Sequence, residues 1–319
     1  MGSLIGHVLP GFGFFLIGLW HLFNHIKLHA LHPNSFVAPP WFPYPKFKYL
    51  ELYFIMGGCL ASIAMELFIG PDRHHPFDTD GTVPSYHLRN FEHSSISLAF
   101  FTYAAFAIVL DRIRPKSQHG LTHFLGAIAF TQEFFLFRLH STDHMGLEGQ
   151  YHLLLQFVVV VSLITALMGI GCPKSFIVVF VRSLSIFFQG VWFMVTGFML
   201  WIPGFVPKGC ALKDEDGHLI VRCSGEEALT RGKSLVNIMF SWFLVGIAIF
   251  GVYLYLVLIK IYGKKVEYFS LKCEEDLQLQ GEEFDDVESQ KKNPSLGASK
   301  NFASMEKPAL LLADLGRPN

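Results

Sequence analysis

Charge is what this 319-residue sequence has least of. Asp, Glu, Lys and Arg make up 16% of it, where an ordinary soluble domain carries about a quarter. With 26 acidic and 25 basic residues the formal net charge is −1, so there is no basic footprint for a nucleic acid. The chain has no G-x-x-x-x-G-K-[ST], no G-x-S-x-G and no H-E-x-x-H, which removes nucleotide-cradling, serine-hydrolase and zincin readings. The start, "MGSLIGHVLPGFGFFLIGLW", lacks a basic n-region and an A-x-A-like cleavage site and reads as a retained first span. Gly6 stands where N-myristoylation wants Ser or Thr, and that modification drops out too. Cysteine is scarce, with five residues. Cys59 and Cys172 lie in or beside apolar segments and Cys273 lies near the C-terminus, whereas Cys210 and Cys223 flank "ALKDEDGHLIVR" with its Asp-Gly turn signal. Those two are the expected disulfide pair.

What is present instead is hydrocarbon. Hydrophobic residues make up 51% of the chain and 33 residues are Phe. A transmembrane helix needs about 20 mainly apolar residues, and seven segments supply them: Leu4–Phe23, Tyr49–Ile69, Asn90–Leu110, Gly120–His140, Gly149–Gly171, Ser175–Ile202 and Ser234–Ile261. The fold class this predicts is an all-α integral membrane protein, a bundle of seven transmembrane helices over residues 1–265 followed by an acidic, disordered tail over 266–319. Arg112, Arg114 and Lys116 follow the third segment, Lys27, Lys46 and Lys48 the first, and Lys260, Lys264 and Lys265 the seventh. Basic loops favour the cytosol, so the N-terminus is expected in the lumen or outside and the tail in the cytosol. The Cys210/Cys223 loop then falls on the oxidising side, where disulfides belong.

Against this background the stretch "QEFFLFRLHSTDHMGLEGQYH" is dense in ionisable groups, which are costly near hydrocarbon. With the expected topology, His7, Glu66, Glu92, His93, Glu133, His140 and His152 all fall in the lumenal half. Glu133 and His140 are seven apart, nearly on one helical face and about 10 Å apart along the axis. Imidazole and carboxylate are the usual donors for Zn²⁺ and non-haem iron. The expected divalent metal site comprises His93, Glu133, His140 and His152, with His7 as a fifth candidate. The same groups suit a structural polar network between helices, or a path for protons or a solute. Asp72, His74, His75, Asp78 and Asp80 form a polar loop expected to be solvated.

At the other end of the first segment, His21, His25 and His29 share an i, i+4 face, with His32 beyond. No second segment carries a matching His pair, since His123 and His140 are seventeen apart, so haem is not expected. The cytosolic histidines are expected among lipid headgroups, and Arg182 is expected to snorkel to the interface. Gln189 and Trp192, near mid-membrane, are expected in the core, with Gly190 and Gly197 permitting close helix approach. In the tail, "YFSL" (Tyr268 to Leu271) and "EKPALL" (Glu306 to Leu310 and Leu311) fit sorting signals read by cytosolic adaptors.

Several of these motifs, in order, resemble the transmembrane protein 45 family: "GHVLPGFGFFLIGLW", "NFEHSS", "QEFFLF" followed by His140 and His152, and "FVRSLSIFFQGVWF". "LWHLFNHIKLHALHP" is similar to its plant branch. The resemblance covers roughly residues 1–262. It implies a seven-span protein of endomembranes or the plasma membrane, of unknown molecular function, with His7, His93, Glu133, His140, His152, Arg182, Gln189 and Trp192 at matching positions. It does not supply an enzyme activity, and whether the chain is an enzyme stays open. Beside metal binding, a proton, ion or solute transporter and a non-catalytic trafficking or stress-response scaffold remain open.

Overall fold

In a computed structural model the described residues are 3–70, 75–139, 146–215 and 218–289, with side chains described to 263 except those of Tyr86 and His218. Each apolar run becomes a helix: α1 (Leu4–Leu31), α2 (Leu50–Ala64), α3 (Leu88–Ile113), α4 (Gln118–Leu139), α5 (Leu147–Gly171), α6 (Phe176–Trp201) and α7 (Glu226–Ser289). Ser3 caps α1 by accepting from the Gly6 amide at 3.0 Å, and Ser175 does the same for α6 through Val178. Such caps satisfy amides the helix itself leaves unpaired. A π-helical turn, Met65–Ile69, extends α2. Between α6 and α7 an antiparallel hairpin, β1 (Cys210–Glu215) with β2 (His218–Cys223), pairs Cys210 with Cys223, and a disulfide joins them.

Successive helices are neighbours. α1 packs on α2, α2 on α3, α3 on α4, α4 on α5 and α5 on α6, and an extensive α1–α6 contact closes the ring. α7 lies along α6: Phe240 meets Trp192 edge-on at 4.8 Å, Phe250 stacks on Phe187 at 5.2 Å, and Leu258 joins Leu22 and Ile26 of α1. One end of the ring carries the hairpin, with the starts of α1, α3 and α5 and the ends of α4 and α6; the opposite end is called the far end below.

The α1–α6 seam depends on glycine. A Cβ on Gly18 would lie 2.3 Å from the Phe187 amide nitrogen, and one on Gly190 2.2 Å from that of Phe15. Backbone therefore packs on backbone here, the close approach that small residues allow. Gly197, seven residues beyond Gly190, faces His7 and brings that side chain against α6.

The surface is the reverse of a soluble protein's. Trp242 is 74% exposed and Ile113 71%, while Glu133 and Gln189 are 0% exposed. Extended apolar surface of this kind needs a cover, and hydrocarbon is the cover that helices of this length can span. Among the described residues six helices are long and apolar enough to cross a membrane: Leu4–Leu31, Leu50–Ile69, Leu88–Ile113, Leu147–Gly171, Phe176–Trp201 and Glu226–Gly263. α4 has the length, at 22 residues, but its Gln118, His119, His123, Gln132, Glu133 and Arg138 leave it outside that set.

Residues Met1–Glu267 form one unit and Tyr268–Asn319 another. Backbone of the second unit is helical as far as Ser289, where an irregular tail was expected from residue 266. The Glu-, Leu-, Gln- and Lys-rich stretch has high intrinsic helix propensity even without an apolar face.

Candidate functional site

At the hairpin end, two histidines from α1 and α5, the helices on either side of α6, converge. His7 Nε2 lies 3.4 Å from His152 Nε2. Each ring is held from behind by a carbonyl four residues earlier: Ser3 O at 3.1 Å from His7 Nδ1, and Glu148 O at 3.0 Å from His152 Nδ1. A carbonyl can only accept, so Nδ1 donates in both rings and carries the proton. In neutral imidazoles both Nε2 atoms then present acceptor lone pairs 3.4 Å apart, a geometry in which two histidines can share a cation. Both side chains are buried. Trp201 covers His7 at 4.6 Å, and Phe137 lies 5.9 Å from His152. The aromatic wall excludes water and fixes the ring planes.

Of the other residues expected in this site, those that the structure describes hold other partners. His93 Nδ1 lies 3.2 Å from Glu66 Oε1, and Asn90 Nδ2 donates to Glu66 Oε2 at 3.0 Å. Glu92, next to His93, is half-buried. Glu133, mid-ring, accepts from Gln189 Nε2 at 2.6 Å, while its Oε2 and Gln189 Oε1 have no partner. Trp192 is fully buried and donates to Tyr151 O at 3.1 Å, as expected of a core residue. His140 lies outside the described residues, as do Asp72 and His74. Among the described residues no group of three or more His, Cys, Asp or Glu is gathered as for a metal ion. His75, Asp78 and Asp80 are exposed. Asp80 accepts from the Thr82 amide and hydroxyl, which hold its carboxyl below the usual range.

The far end corrects two expectations. His21 and His25 do not sit among headgroups: both are buried. Glu51 draws His21 inward, its Oε1 2.6 Å from His21 Nε2, while Oε2 accepts from Trp20 Nε1 at 3.0 Å and the Phe42 amide at 2.9 Å. His25 Nδ1 lies 3.1 Å from Ser183 Oγ, whose own proton goes to Val179 O, so Ser183 is not a primed nucleophile. Arg182 does not snorkel. It is 4% exposed and turns into the ring, where Nη1 donates to His123 Nδ1 at 3.1 Å. Gly169 makes this possible, because a Cβ there would stand 2.9 Å from Arg182 Nη1. Sequence reasoning missed Glu51 and the interior role of His123. An acid at the second residue of a helix reads as a partner for the helix dipole, and its thirty-residue separation from His21 leaves no local signature.

A groove of about 320 Å³ between α3 and α4, lined by Ser95, Thr102, Tyr103, Leu125, Ile128 and Gln132, does not include the His7–His152 pair.

Apolar outside, polar within, and built on six helices of crossing length, the chain is a mostly helical multi-pass membrane protein. A family of unknown function, DUF716, matches residues 119–256. That span runs from the start of α4 into α7 and takes in Glu133, His152, Arg182, Gln189 and Trp192, while His7, His21 and Glu51 precede it.

Proposed function

We propose that the hairpin end binds a divalent metal ion between His7 and His152. The single observation that carries this is the facing of two Nε2 atoms at 3.4 Å with both Nδ1 protons committed to carbonyls. Tetrahedral zinc with Zn–N of about 2.0–2.1 Å places two imidazole nitrogens about 3.3–3.4 Å apart. Donation of the remote N–H to a backbone carbonyl is the usual second-shell support of a ligating histidine. His140 is the further donor expected from sequence, and His93 and Glu133 the more remote ones. Zn²⁺ or Fe²⁺ suits this donor set.

In the reading proposed here α4 also crosses the bilayer, giving seven spans, with the hairpin end lumenal or extracellular and the far end cytosolic. The basic loops and the Cys210–Cys223 disulfide support that orientation. The DUF716 match is consistent with the transmembrane protein 45 family, and residence in endomembranes or the plasma membrane follows from that reading. The test is metal content of the detergent-purified protein by mass spectrometry, beside His152→Ala. Near-stoichiometric metal that is lost in a still-folded variant supports the site; equal metal in both rejects it.

A second reading is proton or ion transport. Its support is the run of buried polar groups through the ring, from His7 and His152 past Glu133 and Gln189 to Arg182, His123, His21 and Glu51. It requires a pH-dependent flux in liposomes that Glu133→Gln abolishes.

A further inference from the structure

On the surface of the far end, where α3 hands over to α4, basic side chains gather around one aromatic ring. The Lys48 ammonium lies 5.2 Å from the centre of the Tyr49 ring, and the Arg112 guanidinium lies 5.8 Å from it. Arg114 ends α3 in the left-handed conformation, at φ 55°. Its charge acts on both Lys48 and Asp111, which puts it in the same cluster. Lys116 follows two residues on in the same short turn. One carboxylate, Asp111, stands among these four cations. It is already held by Lys48, by the Tyr49 hydroxyl at 2.7 Å and by Gln118 Nε2 at 3.4 Å. Arg112, Arg114 and Lys116 are exposed and form no ion pair among the described residues. The cluster therefore carries three surplus positive charges on an open surface.

The C-terminus of α3 favours a cation, which accounts for one of the four. Orienting the chain needs basic residues in this loop but not their convergence on Tyr49. The cluster also borders the apolar belt: next to it in sequence, Ile113 is 71% exposed, Phe47 66% and Leu50 46%. Cations at the phosphate level beside bare apolar side chains match an amphipathic anion rather than a free one. We propose that Lys48, Arg112, Arg114 and Lys116 hold the headgroup of a lipid bearing a phosphate monoester, with its acyl chains against Phe47, Leu50 and Ile113. A phosphate monoester carries a charge of about −1.5 to −2 at pH 7, closer to the surplus here than the single charge of a diester, and arginine grips phosphate oxygens in pairs. Basic clusters on the cytosolic side of transmembrane helices are a recurring seat for such headgroups, and the orientation proposed above puts this one in that leaflet. The assignment is independent of the metal site.

The experiment is native mass spectrometry of the full chain in detergent, titrated with dioleoyl phosphatidic acid. The expected result is one phosphatidic acid per chain, bound at least tenfold more tightly than dioleoyl phosphatidylglycerol, a diester. The double change Arg112→Gln with Arg114→Gln should weaken binding at least tenfold. Lys208→Gln with Lys213→Gln, which removes two exposed cations near the hairpin, should leave it unchanged. Should the arginine variant fail to fold, Lys116→Gln decides, with a loss of at least threefold expected. Phosphatidylglycerol binding as tight as phosphatidic acid overturns the inference, as does undiminished binding in the arginine variant or, where that does not fold, in Lys116→Gln. An equal loss in the Lys208/Lys213 variant would show a response to overall charge and refute the site. Displacement by glycerol 3-phosphate at equal concentration would mark a site for free phosphate and also overturn it.

Discussion

Alanine at position 190 is the smallest change that tests the helix ring. The added Cβ would lie 2.2 Å from Phe15 N, 2.6 Å from Gly11 O and 2.7 Å from Phe15 Cα, where ordinary contact begins at 3.4 Å. All three obstacles belong to backbone, so no side chain can swing aside. α1 and α6 must separate locally by about 1 Å, and a gap of that size forfeits roughly a quarter to a half of the dispersion energy of each atom pair along it. Overpacking typically costs about 1–3 kcal/mol, and the rigid seam puts Gly190→Ala at or above about 3 kcal/mol, more than the roughly 1 kcal/mol that alanine gains over glycine in a helix. Gly13→Ala in the same helix α1 meets nothing within 4 Å and serves as the control. The assay is thermal unfolding in detergent, followed by tryptophan fluorescence, with Trp192 buried as a reporter. Gly190→Ala should melt several degrees lower than wild type and Gly13→Ala at or above it. Equal midpoints for the two variants would refute the backbone-on-backbone seam.

Three further outcomes are expected. Glu51→Ala leaves His21, Trp20 and the Phe42 amide without an acceptor and should destabilise by about 3 kcal/mol or more, at roughly 1–3 kcal/mol for each buried donor left unsatisfied, read as a lowered unfolding midpoint; a change under about 1 kcal/mol would count against a Glu51 that holds all three. Gln189→Leu orphans Glu133 and should cost about 1–3 kcal/mol, whereas adding Glu133→Leu should recover most of it; a double-mutant cycle with no coupling would show that the pair does not act as one. In the hairpin, hydrogen bonds from Arg222 hold the Glu215 carboxyl below its ordinary range. The pairing contributes above the unfolded carboxyl's pKa and is lost as pH falls through the lowered one, so Arg222→Gln should raise the Glu215 midpoint in a carboxyl ¹³C titration, and an unmoved midpoint would contradict the pairing.

The helices were legible in sequence because each needs only its own apolar run, and every predicted span falls on an observed helix. The core placement of Gln189 and Trp192 was legible for a related reason: polar and aromatic side chains in mid-span have nowhere else to satisfy their N–H groups. The interior of the far end was not legible. Arg182 stands seven residues into α6, close enough to the interface to snorkel, and only the gap left by Gly169 on α5 turns it inward. His21 and His25 look like interfacial residues until Glu51, from another helix, supplies the acceptor. At the hairpin end the sequence named His7 and His152 but not their pairing, because 145 residues separate them and only the α1–α6 seam fixes the depth of His7. α4 falls on the predicted Gly120–His140 segment, but its interior polar groups keep it below the apolarity of the six helices long and apolar enough to cross a membrane.

The proposed metal site is tested most directly by X-ray absorption at the zinc edge on the full chain loaded with one equivalent of Zn²⁺, beside His7→Ala. The account predicts imidazole scattering from at least two histidines at about 2.0–2.1 Å, with one histidine lost in the variant. A spectrum of oxygen ligands alone, or one unchanged in His7→Ala, would contradict it and leave His7 and His152 as a pair sharing a proton.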